Sequence, residues 1–160
     1  MSEIGDKIQA KCMAFADRVI KLNDYLLKQA VEKEEVRGKK EDYRNGKHLP
    51  SNNFHHTSRV PVYLQSVANL CNQLLRAGTS IGANNAEATN AISKQDFRSK
   101  SFIALKEARE SLYWIDLLHR NGYLDDKQHA SLYTDCEELV KLLVHRCKKI
   151  NEERDGKSEE

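Results

Sequence analysis

Residues 74–88 read Leu-Leu-Arg-Ala-Gly-Thr-Ser-Ile-Gly-Ala-Asn-Asn-Ala-Glu-Ala, a pattern typical of the middle of a helix with neighbours on several sides. Gly78 and Gly82 are four residues apart and therefore lie one above the other on a helix. A glycine inside a helix costs about 1 kcal/mol relative to alanine. Two glycines on one face therefore predict that another backbone packs closely against this side.

A second face of the same helix is polar. Such a stripe is usually the solvent-facing side of an amphipathic helix. Spacing alone does not decide between a solvent-facing stripe and a polar network that packs against another helix. At intervals of three and four the stripe carries Gln73, Arg76, Ser80, Asn84 and Glu87.

Composition and charge limit the class of protein. The chain has 160 residues, of which 39% are hydrophobic and 31% charged, as expected for one helical domain with a substantial core. Its net charge of +2 is too small to indicate a nucleic-acid partner, so the distribution of charge must decide that question. The chain shows neither an apolar leader nor an apolar run of about 18 residues. We therefore predict a cytoplasmic protein without a membrane span.

Apolar periodicity predicts four amphipathic helices. They cover about Asp6 to Glu35, Val62 to Ile92, Lys94 to Asn121 and Asp126 to Glu152. The first connection is long and the later ones are short, which favours an antiparallel up-and-down four-helix bundle. We predict a single domain over residues 1–152 and a disordered polar tail over 153–160.

The two short connections contain helix-capping signals. Ser93 is the expected N-cap of the third helix, and Asn121-Gly122 its stop, because a side-chain oxygen caps free N–H groups and glycine suits the end of a helix. Asp125 with Gln128 resembles a capping box for the fourth helix.

One polar residue and four cysteines fall on the predicted core seams. Asn85 continues the seam of the second helix, and because an unsatisfied buried amide costs about 1–3 kcal/mol, it must find a partner or reach water. The cysteines lack Cys-x-x-Cys spacing, so we expect buried small hydrophobic residues without redox or metal roles. They are Cys12, Cys71, Cys136 and Cys147.

Residues 36–59 are predicted to form a basic loop between the first two helices, because apolar periodicity ends after Glu35 and Gly, Ser and Asn become frequent. Cations mixed with rings such as Tyr43 and Phe54 suit a flexible nucleic-acid contact, since cations displace counterions from phosphate and rings stack on bases. A merely charged linker is an equally open alternative. The basic residues of this segment are Arg37, Lys39, Lys40, Arg44, Lys47 and Arg59.

The sequence shows no set of residues for metal binding or catalysis. His48, His55 and His56 lie in the basic loop, but no cysteine or well-spaced carboxylate completes a set of four ligands. A nucleophile with its base, a pair of carboxylates in a cleft and a glycine-rich phosphate loop are likewise not visible. We therefore expect neither an enzyme nor a cofactor.

Several segments together resemble one family of four-helix-bundle proteins. The family includes the 23S rRNA intervening-sequence proteins and the accessory variability determinants of diversity-generating retroelements. The likeness covers about residues 62–150 and is specific as a combination. The segments are Leu75-Arg-Ala-Gly-Thr-Ser-Ile-Gly-Ala-Asn-Asn-Ala-Glu87, Asp96-Phe97, Ala104-Leu-Lys-Glu-Ala-Arg-Glu-Ser111 with Trp114, and Asn121-Gly-Tyr-Leu124.

This resemblance implies an all-α, antiparallel up-and-down four-helix bundle that forms a homo-oligomer, typically a pentameric barrel, without catalysis. For the retroelement members it also implies a basic surface that binds RNA or DNA and a partner reverse transcriptase. The intervening-sequence members suggest the alternative of a protein-binding scaffold without a nucleic-acid role. The third helix is apolar on more than one face, which also favours contacts between subunits.

The resemblance also favours a structural role for the polar stripe, because its residues match family motif positions. We predict that Ser80, Asn84 and Glu87 hydrogen-bond across to Glu107, Arg109 or Ser111 of the third helix and fix the register of the bundle. The predicted network comprises Arg76, Ser80, Asn84, Glu87, Glu107 and Ser111.

The predicted nucleic-acid surface combines the loop cations with basic residues of the third and fourth helices. Modest charge on each subunit becomes considerable when it is repeated around a ring. Cations near the end of the fourth helix also have a simpler explanation, since the helix dipole favours them there. The helix residues of this surface are Arg98, Lys100, Lys106, Arg109, Arg146, Lys148 and Lys149.

Overall fold

The computed structural model describes residues 3–44 and 62–155, with side chains for 5–37 and 62–152. It contains four helices, which pack in chain order, α1 on α2, α2 on α3 and α3 on α4, and α4 returns to α1 through a smaller contact. The described part of the chain is therefore an all-α four-helix bundle. The helices are α1 (Glu3–Arg44), α2 (Val62–Thr89), α3 (Lys94–Arg120) and α4 (Asp126–Asp155).

The contacts between neighbouring helices run in opposite directions. Along α2, Gly78 lies against Val19 of α1, and the later Gly82 lies against the earlier Cys12. The contacts between α3 and α4 are also antiparallel: the Cys136 thiol donates to the Ala108 carbonyl, and the earlier His129 pairs with the later Asp116. The ion pairs Lys11–Glu138 (2.7 Å) and Arg18–Asp135 join α1 to α4 in the same way. The predicted antiparallel arrangement is confirmed for these pairs.

The glycine face of α2 packs against α1, as the spacing predicts. A Cβ added to Gly78 would lie 3.2 Å from Val19 Cγ2 and 3.3 Å from Phe15 Cε1. A Cβ added to Gly82 would lie 3.3 Å from Cys12 Cβ and 4.0 Å from its backbone carbon. Both glycines thus allow the two helices to approach more closely than any larger residue would.

The first helix is longer than the sequence predicts. It continues to Arg44, so the prediction of a loop beginning at residue 36 is wrong for 36–44. The extension is rich in Glu, Lys and Arg, which favour helix at exposed positions, and acids precede bases by three or four residues, as in the Glu34–Arg37 pair. Such a helix needs no apolar periodicity. The rest of the predicted loop, 45–59, lies outside the described residues, as do His48, His55 and His56.

The capping residues of the short connections follow the predicted signals, but α2 ends at Thr89, three residues before the predicted Ile92. Ser93 caps α3 by accepting from the Asp96 N–H, and Gly122 adopts φ of 73° directly after the helix. Asp125 and Gln128 form the reciprocal capping box of α4. However, α4 continues to Asp155, three residues beyond the predicted end, and the remainder of the predicted tail lies outside the described residues.

The extra apolar surface of α3 is largely covered within the chain. Leu105, Ala108, Ile115 and Leu118 are buried, and Trp114 is half-buried against the core. Exposed apolar side chains remain on both helices, Met13, Ile20 and Val31 on α1 and Phe102, Ile103 and Tyr113 on α3. Apolar content alone does not show which side chains of a helix face a neighbouring helix.

Candidate functional site

Two adjoining grooves run along α3, and one of them continues onto α4. The first is lined by α3 residues that include Arg98, Phe102 and Ile103. The second, of about 430 Å³, lies between α3 and α4 and includes Val144. Phe102 and Lys106 line both grooves, so they form the boundary between them.

The floor of this double groove is apolar and partly open. Phe102 is 37% exposed and Ile103 is 36% exposed. The Arg98 guanidinium lies 5.6 Å from the centroid of the Phe102 ring, within the distance of a cation–π contact. The Arg98 guanidinium therefore lies over the Phe102 ring, so a cation and an aromatic ring share this part of the groove.

The rim of the double groove is basic. Lys106 and Arg109 of α3 and Lys148 of α4 line the second groove, and all three are exposed. Neither groove has an Asp or Glu among its described lining residues. The structure thus brings four of the predicted binding cations together, Arg98, Lys106, Arg109 and Lys148.

Other cations of the predicted surface have different surroundings. Lys100 pairs with Glu87 of α2, and this contact raises the pKa of Lys100. Arg37 lies on α1, 4.0 Å from Glu34, and Lys149 is exposed on α4. Lys39, Lys40 and Arg44 belong to the end of α1, where the side chains are not described, and Lys47 and Arg59 lie outside the described residues.

Arg146 points into the bundle, which the sequence did not indicate. Its Nη1 donates to Oδ1 of Asn85 at 2.6 Å, and Asn85 Nδ2 donates to Oε1 of Gln9 at 2.5 Å. Arg146 also lies 5.8 Å from the ring centroid of Phe97. Burial lowers the pKa of Arg146. We call Gln9, Asn85 and Arg146 the buried bridge after its buried central residue, Asn85; Gln9 and Arg146 are half-buried, and together the three residues link α1, α2 and α4.

The buried bridge satisfies Asn85, which is 0% exposed. The prediction that this amide must find a partner is therefore confirmed. Its partners are 76 and 61 residues away in the sequence, so no local spacing could identify them. A signal was present only in the type of residue, an amide on an otherwise apolar seam.

The predicted network on the polar stripe is wrong in its hydrogen bonds. Asn84 Nδ2 donates to the Ser80 carbonyl, and Ser111 Oγ donates to the Glu107 carbonyl, each within its own helix. Short polar side chains reach the preceding turn more readily than a neighbouring helix. Glu87 alone of these residues has a described ion pair to α3, through Lys100, and Arg76 is exposed.

The four cysteines are free and buried, as the seams predict. Burial raises the pKa of Cys12 and Cys71 to about 11 and of Cys136 to about 12, so these thiols stay protonated at neutral pH. Within the described residues no His, Cys, Asp or Glu cluster is arranged to hold a metal ion. No described helix is long and apolar enough to cross a membrane.

The fold defines a class, the all-α four-helix-bundle proteins. The family model described as 23S rRNA-intervening sequence protein matches residues 51–145, more than half of the 160 residues. The chain belongs to the 23S rRNA-intervening sequence protein family, which confirms that part of the resemblance.

A solved structure supports the same assignment. It is a protein of unknown function from the S23 ribosomal protein family of Bacteroides thetaiotaomicron. The two chains are 30% identical and align with a TM-score of 0.63, over 91% of this chain and 98% of the other. The search of curated proteins found no significant match.

Proposed function

We propose that this protein is a non-catalytic, homo-oligomeric nucleic-acid-binding protein that holds RNA or DNA in the double groove of α3 and α4. The single observation that carries the proposal is the grouping of Arg98, Lys106, Arg109 and Lys148 around a groove without a described acidic lining residue. Cations placed this way neutralise phosphates and release counterions, which supplies most of the affinity for a polyanion.

Assembly into a homo-oligomer would raise the affinity for nucleic acid, because each chain contributes only a few cations. Met13, Ile20 and Val31 are exposed and are separated by seven and eleven residues, intervals that return to nearly the same side of a helix. We propose that this stripe on α1 contacts other copies of the chain, in a pentamer or another closed ring, so that several grooves act on one strand. Light scattering should then give a multiple of 18.4 kDa, and Ile20→Asp should reduce that mass.

The binding test uses the full chain and labelled RNA and DNA at low salt, followed by gel shift or fluorescence anisotropy. The groove variant Lys106→Gln/Arg109→Gln/Lys148→Gln should bind at least tenfold more weakly. The slope of log K against log salt should fall by about 0.7–0.9 for each phosphate that the variant no longer neutralises.

The matched control removes the same charge elsewhere. Lys7, Lys28 and Lys33 are exposed on α1, and their replacement by Gln should change affinity less than threefold. Equal losses in the two triple variants would argue against the groove. Failure of the unmodified protein to bind either nucleic acid would contradict the proposed function.

A protein-binding scaffold is the second candidate. The exposed Phe102 and Ile103 favour it, because apolar residues within a charged rim are also common in protein interfaces. We also propose a reverse transcriptase as a protein partner, on the resemblance of the sequence to the retroelement accessory proteins. Copurification with a purified reverse transcriptase, with and without nuclease treatment, separates direct protein contact from bridging by nucleic acid.

A further inference from the structure

We propose that the double groove prefers single-stranded nucleic acid and that an unpaired base stacks on the Arg98–Phe102 platform. This inference rests on the proposed function and names the class of ligand for the same site. The inference concerns the apolar floor of the groove, whereas nucleic-acid binding in general depends on the basic rim. An experiment can therefore contradict the preference for single strands without contradicting nucleic-acid binding.

The platform has the chemistry of a base-stacking site. The Phe102 ring is exposed and has the guanidinium of Arg98 at 5.6 Å from its centroid. Bases stack on aromatic rings and on guanidinium planes alike, with little dependence on their identity. Ile103 extends the apolar surface beside the ring.

The arrangement of charge fits a strand that passes over this platform. Arg98 and Arg109 are eleven residues apart on α3 and hence separated by about 16 Å along the helix axis. Lys106 lies between them in sequence, and Lys148 faces the second groove from α4. Phosphates can follow these cations while the bases turn toward the floor. A duplex presents its phosphates outward and keeps its bases paired, so it would leave the apolar floor uncovered.

The experiment compares a labelled 20-nucleotide single strand with its blunt duplex at the same salt concentration, by fluorescence anisotropy on the full chain. The key variant is Phe102→Leu, which keeps an apolar side chain in the groove but removes the ring. It should weaken single-strand binding about tenfold and change duplex binding less than twofold. The salt slope should stay unchanged, because the variant retains every cation of the rim. Phe102→Trp should restore single-strand affinity.

Tyr113→Ala is the matched control, since Tyr113 is an exposed aromatic residue of α3 that does not line either groove. It should leave both affinities unchanged. Equal affinity of the unmodified protein for single strand and duplex, or a similar loss for both in Phe102→Leu, would overturn the preference while leaving binding through the basic rim intact. Binding of neither form would overturn the proposed function as well. Circular dichroism melting of each variant verifies the fold.

Discussion

Arg146 of α4 donates a hydrogen bond of 2.6 Å to the side-chain oxygen of Asn85 of α2. Asn85 is fully buried, and its amide nitrogen continues the buried bridge to Gln9 of α1. A cation predicted to face nucleic acid thus links helices inside the bundle. The buried bridge connects three helices at one height along the bundle and so fixes their register, which apolar contacts alone would not specify.

We expect Asn85→Leu to destabilise the protein by about 2–3 kcal/mol, because it leaves the Arg146 guanidinium and the Gln9 amide without their described partner. Urea denaturation followed by circular dichroism measures this loss. Asn84→Leu is the matched control, since Asn84 bonds only to its own helix in the described contacts, and it should cost less than about 1 kcal/mol. Equal losses would show that the buried bridge has no special role.

The double variant Asn85→Leu/Arg146→Met removes both ends of the hydrogen bond. It should be more stable than the sum of the two single variants predicts, by about 1 kcal/mol or more, because neither group is then left unpaired. Strict additivity of the two changes in free energy of unfolding would contradict a direct coupling. The same variant should retain nucleic-acid binding, since Arg146 is not among the cations of the groove.

Gly82→Ala should destabilise the bundle more than Gly78→Ala, by about 1 kcal/mol or more. Both substitutions gain about 1 kcal/mol of helix propensity. The new methyl group at position 82 meets the Cβ of Cys12, which is fixed to its backbone, whereas at position 78 it meets side-chain atoms farther from the α1 backbone, in Val19 and Phe15. Overpacking that the neighbours cannot relieve costs about 1–3 kcal/mol. Chemical denaturation of the two variants in parallel decides the order.

Ser93→Ala should cost about 1 kcal/mol, because the Ser93 hydroxyl accepts from the Asp96 N–H at the start of α3. Ser93→Asp should retain most of the stability, since a carboxylate caps the same N–H and suits the helix dipole. Thermal unfolding provides the comparison. If Ser93→Ala and Ser93→Asp melt together below the unmodified protein, the cap does not act through this acceptor.

The buried thiols should resist alkylation in the folded protein at pH 8 and react fully after denaturation. Burial raises the pKa of Cys12 from 9.0 to about 11, so the folded state favours the protonated thiol. Its contribution to stability is present below pH 9 and is lost as pH rises from about 9 through 11. Iodoacetamide labelling with mass spectrometry measures the first effect, and urea denaturation at pH 8 and pH 10 measures the second. Rapid labelling of native Cys12 at pH 8 would contradict the burial.

The helices, their caps and the close α1–α2 contact were predictable because their signals are local. Apolar residues recur with the helical period, Ser93 and Gln128 stand at fixed distances from helix starts, and Gly78 and Gly82 are one turn apart. The extension of α1 to Arg44 was not predicted, because its sequence is rich in charged residues and has no apolar period to detect.

By itself, the sequence determined the number and order of the helices and the apolar seams that hold the cysteines, because these follow from periodicity along one segment. Only the tertiary structure decided that Arg146 turns inward to Asn85, and that Phe102 and Lys106 of α3 share a groove with Lys148 of α4. These contacts join residues that are distant in the chain. The packing of the helices brings these distant residues together, and local sequence spacing does not encode that packing.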